Sequence, residues 1–165
     1  MTERTIVLLR HAKADRPTRI ADIDRPLTPR GHADATAAGA WLFKRRLLPD
    51  LVICSPSKRT RQTWHGVAVA LGDTSPNVRY EGRAYDGRTS DLLDLIRAAD
   101  DSVSTVLVIG HNPTVSQLSE LLDPGADTDS DGLRTSGLAV HRFEGSWAEC
   151  DPGSAPLTGT HTARG

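Results

Sequence analysis

Three short apolar runs, each ending in residues that carry chemistry, constrain this chain more than any other feature. Ile6-Val7-Leu8-Leu9 stops at Arg10-His11, and Leu51-Val52-Ile53-Cys54 runs into Ser55-Pro56-Ser57-Lys58-Arg59. Val106-Leu107-Val108-Ile109 runs into Gly110-His111-Asn112-Pro113. Short β-branched and aliphatic runs without polar alternation read as strands buried on both faces, the kind found at the centre of a parallel sheet. In open α/β sheets, ligands bind at the carboxyl ends of the strands. A guanidinium and an imidazole at such an end are costly to bury unpaired. If the three strands are parallel neighbours, His11, His111, Arg10 and Arg59 meet in one crevice.

The intervening segments supply helices. Thr28 precedes Pro29 as an N-cap before a first-position proline, and an alanine-rich helix follows to about Arg46. Ser55-Pro56 or Ser57 caps a second helix that carries Arg59, Thr63 and Trp64 and stops at Gly72-Asp73. A short strand is expected near Val78–Tyr80. From roughly Ser90 to Ala99, Leu92, Leu93, Leu95, Ile96 and Ala99 keep helical spacing, with Asp91 and Asp94 in the favourable first turn. Asn112-Pro113 reads as a cap and first-position proline for a helix that Asp123-Pro124-Gly125 ends. Gly137 to Phe143 reads as a further strand, at an edge given His141 and Arg142.

Strands alternating with helices predict an α/β fold, a three-layer sandwich with a mainly parallel central sheet flanked by helices. The 165 residues suit one domain, read as residues 1–150. Residues 151–165 are mostly Gly, Pro, Ser and Thr with little to bury, so a disordered tail is expected. The polar stretch from Ala12 to Asp24 holds no period and reads as a loop.

Bulk properties exclude several functions. A net charge of −1 gives no field for nucleic acid or an anionic membrane. Cys54 and Cys150 form no CxxC pair, which predicts a reduced, cytoplasmic protein. The early first strand leaves no room for a signal peptide, and no apolar stretch approaches the ~18 residues of a membrane helix.

Two arginines and two histidines at one point form an anion site by physical type. Guanidinium forks match phosphate oxygens bidentately and stay charged at any working pH. The helix opened by Asn112-Pro113 adds free backbone N–H groups, placing Asn112 among the phosphate-binding residues. A phosphoryl group held this way is activated by neutralisation of its oxygens and lacks only a nucleophile. The chain has no P-loop lysine, no CxxxxxR thiol signature and no aspartate run for magnesium. A neutral imidazole can attack phosphorus, and His11 is the best placed; His111 would stabilise the transferring group.

Leu9-Arg10-His11-Ala12, the segment from Ser55 to Arg59-Thr60-Arg61-Gln62-Thr63, and Gly110-His111-Asn112 resemble, in order, the three signatures of the histidine phosphatase superfamily. Arg25-Pro26-Leu27-Thr28-Pro29-Arg30-Gly31, the Arg-His-Ala form and the short chain resemble its phosphohistidine phosphatase branch. The resemblance implies a phosphoglycerate mutase-like fold and His11 as the phosphorylated nucleophile. It places Arg10, Arg59 and His111 in the phosphate pocket, with no metal and no organic cofactor. Many relatives carry Arg-His-Gly where this chain has Arg-His-Ala. Mutase-like members also supply an acidic proton donor, for which Glu81 and Asp86 are the nearby candidates.

A phosphohistidine substrate needs no such donor, because an imidazole protonated on its distal nitrogen leaves as a neutral ring. The short segment between Thr63 and Thr105 predicts an unroofed crevice open to a phosphorylated side chain on a folded protein. The expected partner is therefore a phosphohistidine-bearing protein domain, or else a small phosphoester, with neither nucleic acid nor membrane. The alternatives are a small-molecule phosphomonoesterase and a non-catalytic module that binds phosphate or phosphoprotein. Asp127 to Gly132 begins like an EF-hand loop, but the twelfth position is Leu138 where a bidentate Glu is required, so a solvated acidic loop is expected. Zinc at His11 and His111 would face two repelling arginines.

Overall fold

The computed structural model describes residues 2–165. A single six-stranded sheet runs through it. In chain order the elements are β1 (Glu3–Arg10), a 3-10 turn (Asp22–Asp24), α1 (Pro29–Lys44), β2 (Leu51–Cys54), α2 (Lys58–Leu71) and β3 (Asn77–Tyr80). They continue with α3 (Arg83–Asp86), α4 (Thr89–Arg97), β4 (Thr105–Gly110), α5 (Thr114–Leu122), β5 (Gly137–Glu144), a second 3-10 turn (Trp147–Glu149) and β6 (Leu157–Thr162).

The strand order is β3-β2-β4-β1-β5-β6. β4 pairs in parallel with both β1 and β2, so the three apolar runs are neighbours, as their burial on both faces requires. Arg10 pairs with Gly110, and Cys54 with Ile109, which brings the three chemical strand ends to one level. β5 lies antiparallel to β1, and β6 antiparallel to β5.

The period of two along β1 divides the core. Ile6 and Leu8 join Val106, Val108, Leu92, Ile96, Leu118 and Trp147 on the α4–α5 side. Val7 and Leu9 join Leu107, Ile109, Leu42, Val67 and Leu71 on the α1–α2 side. This is the three-layer α/β sandwich predicted. α1 and α2 approach closely because both carry glycine at the contact: a Cβ on Gly39 would lie 2.5 Å from the Val67 carbonyl oxygen, and one on Gly66 2.7 Å from Ala35 Cβ.

Helix starts follow the expected chemistry in most places. The Thr28 hydroxyl accepts from the Gly31 amide at 3.0 Å, with Pro29 first in α1. Ser57, rather than Ser55, caps α2. At α4 the Asp91 carboxylate accepts from the Arg88 amide at 2.8 Å.

Four expectations are corrected. α5 begins at Thr114 with Pro113 at its cap position and no side-chain cap bond, because the Asn112 side chain is spent on Leu133 and Ser116. α4 begins at Thr89 with Asp91 as the acid of its first turn, so Asp94 lies further along the helix than expected. β5 is an interior strand. Its His141 is a satisfied core histidine, with Nδ1 donating to the Ala155 carbonyl at 2.8 Å and Nε2 accepting from the Ser119 hydroxyl at 2.8 Å.

The fourth correction is the tail. Residues 157–162 form the edge strand β6, so the domain does not end at residue 150. Composition misled because a strand added to an open edge is held by its backbone, not by apolar side chains. Small side chains help: Ala155 and Ala163 are fully buried, and His161 stacks flat on Trp41 with centroids 4.8 Å apart. Beyond β6, the Gly165 amide donates to Asp34 at 2.9 Å and the Arg164 guanidinium approaches the same carboxylate at 3.5 Å.

Candidate active site

The convergence at the strand ends is real. A cleft of about 430 Å³ opens there, and Arg10, His11, Arg59, His111 and Asn112 all line it. The two imidazoles face each other with centroids 5.3 Å apart.

His11 is locked in one tautomer. Its Nδ1 lies 2.7 Å from the Ala12 carbonyl oxygen, which can only accept, so Nδ1 carries the proton and Nε2 keeps its lone pair. Among the described residues, no group hydrogen-bonds to Nε2. Burial, reinforced by the charges of His111, Arg59 and Arg10, pushes the His11 pKa down to about 3 against the opposing bond to Ala12. It is therefore a neutral imidazole with an available lone pair at neutral pH.

His111 holds the opposite tautomer. Arg59 offers only donors, so His111 Nδ1 accepts from it at 3.3 Å, while Nε2 donates to the Ser55 hydroxyl at 2.8 Å. Burial first, then Arg59, lowers its pKa to about 4.

Both Arg10 and Arg59 are held in place by directed hydrogen bonds. Arg59 is 6% exposed. Its NH1 donates to the Asp22 carbonyl at 2.7 Å and its NH2 to the Asp22 carboxylate at 3.1 Å. Arg10 NH1 donates to the Leu133 carbonyl at 3.1 Å. Among the described residues, the buried side-chain nitrogen and oxygen atoms without a hydrogen-bond partner are Arg10 Nε, Arg59 Nε and Asp34 Oδ2. Two of these three are guanidinium donors of one cleft. Such donors are expensive to leave unmade, and desolvation lowers the Arg10 pKa.

The motif residues around Arg59 are structural. The Thr60 hydroxyl donates to the Ser55 carbonyl at 2.7 Å, and the Thr63 hydroxyl donates to the Arg59 carbonyl while accepting from the Ala12 amide at 3.1 Å. Thr63 thus ties α2 to the residue after His11. Gln62 accepts from the Leu27 amide at 2.8 Å and fixes the loop leading into α1.

Asn112 enters as a brace rather than a free phosphate ligand. Its Nδ2 donates to the Leu133 carbonyl at 2.7 Å, the same oxygen that holds Arg10. Of the two proposed acids, Asp86 lines the cleft, whereas Glu81 is not among its lining residues. Sequence reasoning missed Asp22, Tyr85, Arg16 and Arg25, which also line it. Asp22 and Arg16 sit in a polar loop without period; their only signal was lying between two motifs. Cys54, at the end of β2, is no rival nucleophile: burial raises its thiol to about 12.

A second cavity, of about 440 Å³, lies under the 127–134 loop beside α5. Its acids, Glu120, Asp127 and Asp129, are exposed, and its imidazole, His161, is stacked on Trp41.

Comparison with known proteins agrees with this geometry. Residues 6–83 match the sequence profile of the histidine phosphatase superfamily (branch 1). An uncharacterized protein of Mycobacterium tuberculosis (strain ATCC 25618 / H37Rv) is 40% identical over 163 residues, spanning 94% of this chain and 100% of that protein. A solved structure from Nakamurella multipartitia, named for the phosphohistidine phosphatase SixA, is 34% identical with a TM-score of 0.86, covering 99% of this chain and 98% of that one. A similarly named structure from Agrobacterium tumefaciens is 32% identical with a TM-score of 0.79, covering 96% of this chain and 97% of that one. Three motifs meeting in one anion cleft, on a fold shared along nearly the whole length with these relatives, make this chain a phosphatase of the histidine phosphatase superfamily, on its SixA-like side.

Proposed function

We propose that this protein removes phosphate from phosphohistidine on a protein, through a covalent phosphoenzyme at His11 and without a metal. The observation that carries the reading is the His11 tautomer: a neutral ring with Nδ1 held by Ala12 and Nε2 without a partner, in a cleft that Arg10 and Arg59 also line.

In the first step His11 Nε2 attacks phosphorus in line, and the P–N bond to the substrate imidazole breaks with its electron pair going to that nitrogen. The substrate ring keeps its distal proton and departs neutral, while Arg10 and Arg59 neutralise the phosphoryl oxygens. Negative charge entering beside His111 raises its proton affinity, so Nδ1, which faces Arg59, takes up a proton from solvent, donates to the transferring group and returns the proton when phosphate leaves. In the second step water attacks phosphorus, its protons stay on the released phosphate, and the electron pair of the P–N bond returns to His11. Transfer from one imidazole to another is close to balanced in energy, which suits a nucleophile of the same type as the leaving group.

The open mouth of the cleft supports a substrate presented on a folded surface, and the SixA names of the relatives point the same way. A cytoplasmic setting suits two buried, unpaired cysteines. The test is phosphate release from a phosphohistidine-bearing protein domain beside phosphoserine and sugar phosphates, with and without EDTA. Preference for the phosphohistidine domain, unchanged by EDTA, supports the reading. Preference for the esters moves the substrate to small molecules, EDTA-sensitive turnover overturns the metal-free chemistry, and phosphate binding without turnover would make this a binding module.

A further inference from the structure

Asp22 stands in the 3-10 turn between β1 and α1, and its carboxylate touches two of the cleft's arginines, Arg59 and Arg25. Its Oδ2 accepts from Arg59 at 3.1 Å and from the Tyr85 hydroxyl at 2.6 Å, and its Oδ1 accepts from Arg25 at 3.2 Å. A carboxylate has about four lone-pair directions, so one remains, on Oδ1. The side chain is 53% exposed and lines the cleft with His11, so that acceptor is reachable from the substrate side.

The same contacts determine its protonation. The Tyr85 hydrogen bond, followed by those from Arg59 and Arg25, holds the Asp22 carboxyl well below the usual carboxylate range despite some desolvation. Asp22 therefore has no proton to give an alkoxide leaving group. It is a fixed acceptor, useful to a leaving group that brings its own proton. Phosphohistidine is such a group when its distal nitrogen is protonated, and that protonated form is the one whose ring departs neutral.

We infer that Asp22 is a specificity-determining residue that accepts a hydrogen bond from the protonated distal nitrogen of the departing imidazole, selecting P–N over P–O substrates. This rests on the phosphohistidine reading above and assigns its selectivity to one side chain. Asp22 takes no proton: the distal N–H stays on the ring, and the only bonds that change are those at phosphorus. Tyr85 and Arg25 hold the carboxylate, and Tyr85 also packs edge-on against His111 with centroids 5.5 Å apart.

The experiment compares wild type, Asp22→Asn and Tyr85→Phe on a phosphohistidine peptide and on p-nitrophenyl phosphate, whose leaving group neither needs nor brings a proton. Thermal melts are run alongside. For Asp22→Asn, kcat/KM on the peptide is expected to fall at least tenfold further than on the ester. The alkaline limb of the peptide profile should also move to lower pH, because the carboxylate no longer favours the protonated substrate. Tyr85→Phe keeps the carboxylate and should lower both substrates by similar factors, with the limb unmoved. Equal losses on both substrates in Asp22→Asn, with an unmoved limb, would show that Asp22 merely holds Arg59. A wild type that cleaves the ester and no P–N substrate would overturn the phosphohistidine reading itself, a result distinct from either.

Discussion

The rings of His11 and His111 lie 5.3 Å apart, tilted by 56°, and hold opposite tautomers. His11 points its proton away at Ala12 and keeps a lone pair; His111 spends both nitrogens, on Arg59 and Ser55. Two chemically equal side chains thus have unequal tasks, and removing each should have unequal effects. His11→Ala is expected to lower turnover by at least about a thousandfold, since no other group in the cleft offers a neutral nucleophile. The fold should persist, because the residue stands at a strand end beside an open cleft. Wild type quenched in alkaline denaturant should carry an alkali-stable, acid-labile phosphoryl label that the variant lacks. Retained activity in a folded His11→Ala protein would remove the covalent mechanism.

The pH dependence follows from the two lowered histidines. In the fold both are lowered from the ordinary 6.5, His11 to about 3 and His111 to about 4. The unfolded chain therefore binds protons first as pH falls. The stability these rings contribute is present above pH 6.5 and is lost progressively toward pH 4 and 3. Tm should decline on acidification, and inorganic phosphate, which favours the charged rings, should restore more of it at pH 5 than at pH 8. Activity on an ester should show no histidine limb near pH 6.5; a limb there would mean that the rings are solvated in the free enzyme.

Arg59 makes three directed contacts from one planar group, two to Asp22 and one to His111. A lysine ammonium is a point charge and cannot reproduce that fork. Arg59→Lys should therefore lower kcat/KM by about a hundredfold or more and weaken inorganic phosphate by at least about tenfold. Isothermal titration with phosphate reads the second effect directly. Affinity within twofold of wild type would move the phosphate site away from Arg59.

The parts of this molecule that were legible in sequence are those where side chains carry the signal. The β1, β2 and β4 runs are apolar on both faces because they are buried on both faces, and His11, His111, Arg10 and Arg59 follow them directly. What stayed hidden is held by backbone or by distant partners. β6 is added through a ladder to β5, which composition does not reveal. Asp22 reaches Arg59 across thirty-seven positions of sequence, and nothing local marks that pairing. Asn112 looked like a cap because Asn before Pro usually is one; here the Leu133 carbonyl, on a loop twenty-one residues away, took its side chain.

The tail offers the last test, because its misreading has a functional consequence. The Ser136 amide donates to the carbonyls of both Arg10 and His11 at 3.1 and 3.0 Å, and its own carbonyl accepts from the Ala163 amide at 3.0 Å. Ser136 holds a φ of 58°, a left-handed conformation that a serine keeps only when its surroundings fix it. β6 and Arg164, anchored on the buried carboxylate of Asp34, supply that fixation. Truncation after Ala155 removes the β5–β6 ladder and uncovers part of the α1 face. We expect a loss of about 3 kcal/mol, which for a chain of this length lowers Tm by roughly 6–12 °C. The kcat should fall as well, with KM less affected, since the strand end that aims His11 loses its outer support while the guanidinium pair remains. Arg164→Ala, which leaves the ladder and removes only the anchor, should show a smaller fall of the same sign. A truncated protein that melts within about 1 °C of the full chain would mean that β6 is dispensable to the fold and that Ser136 is held by β5 alone.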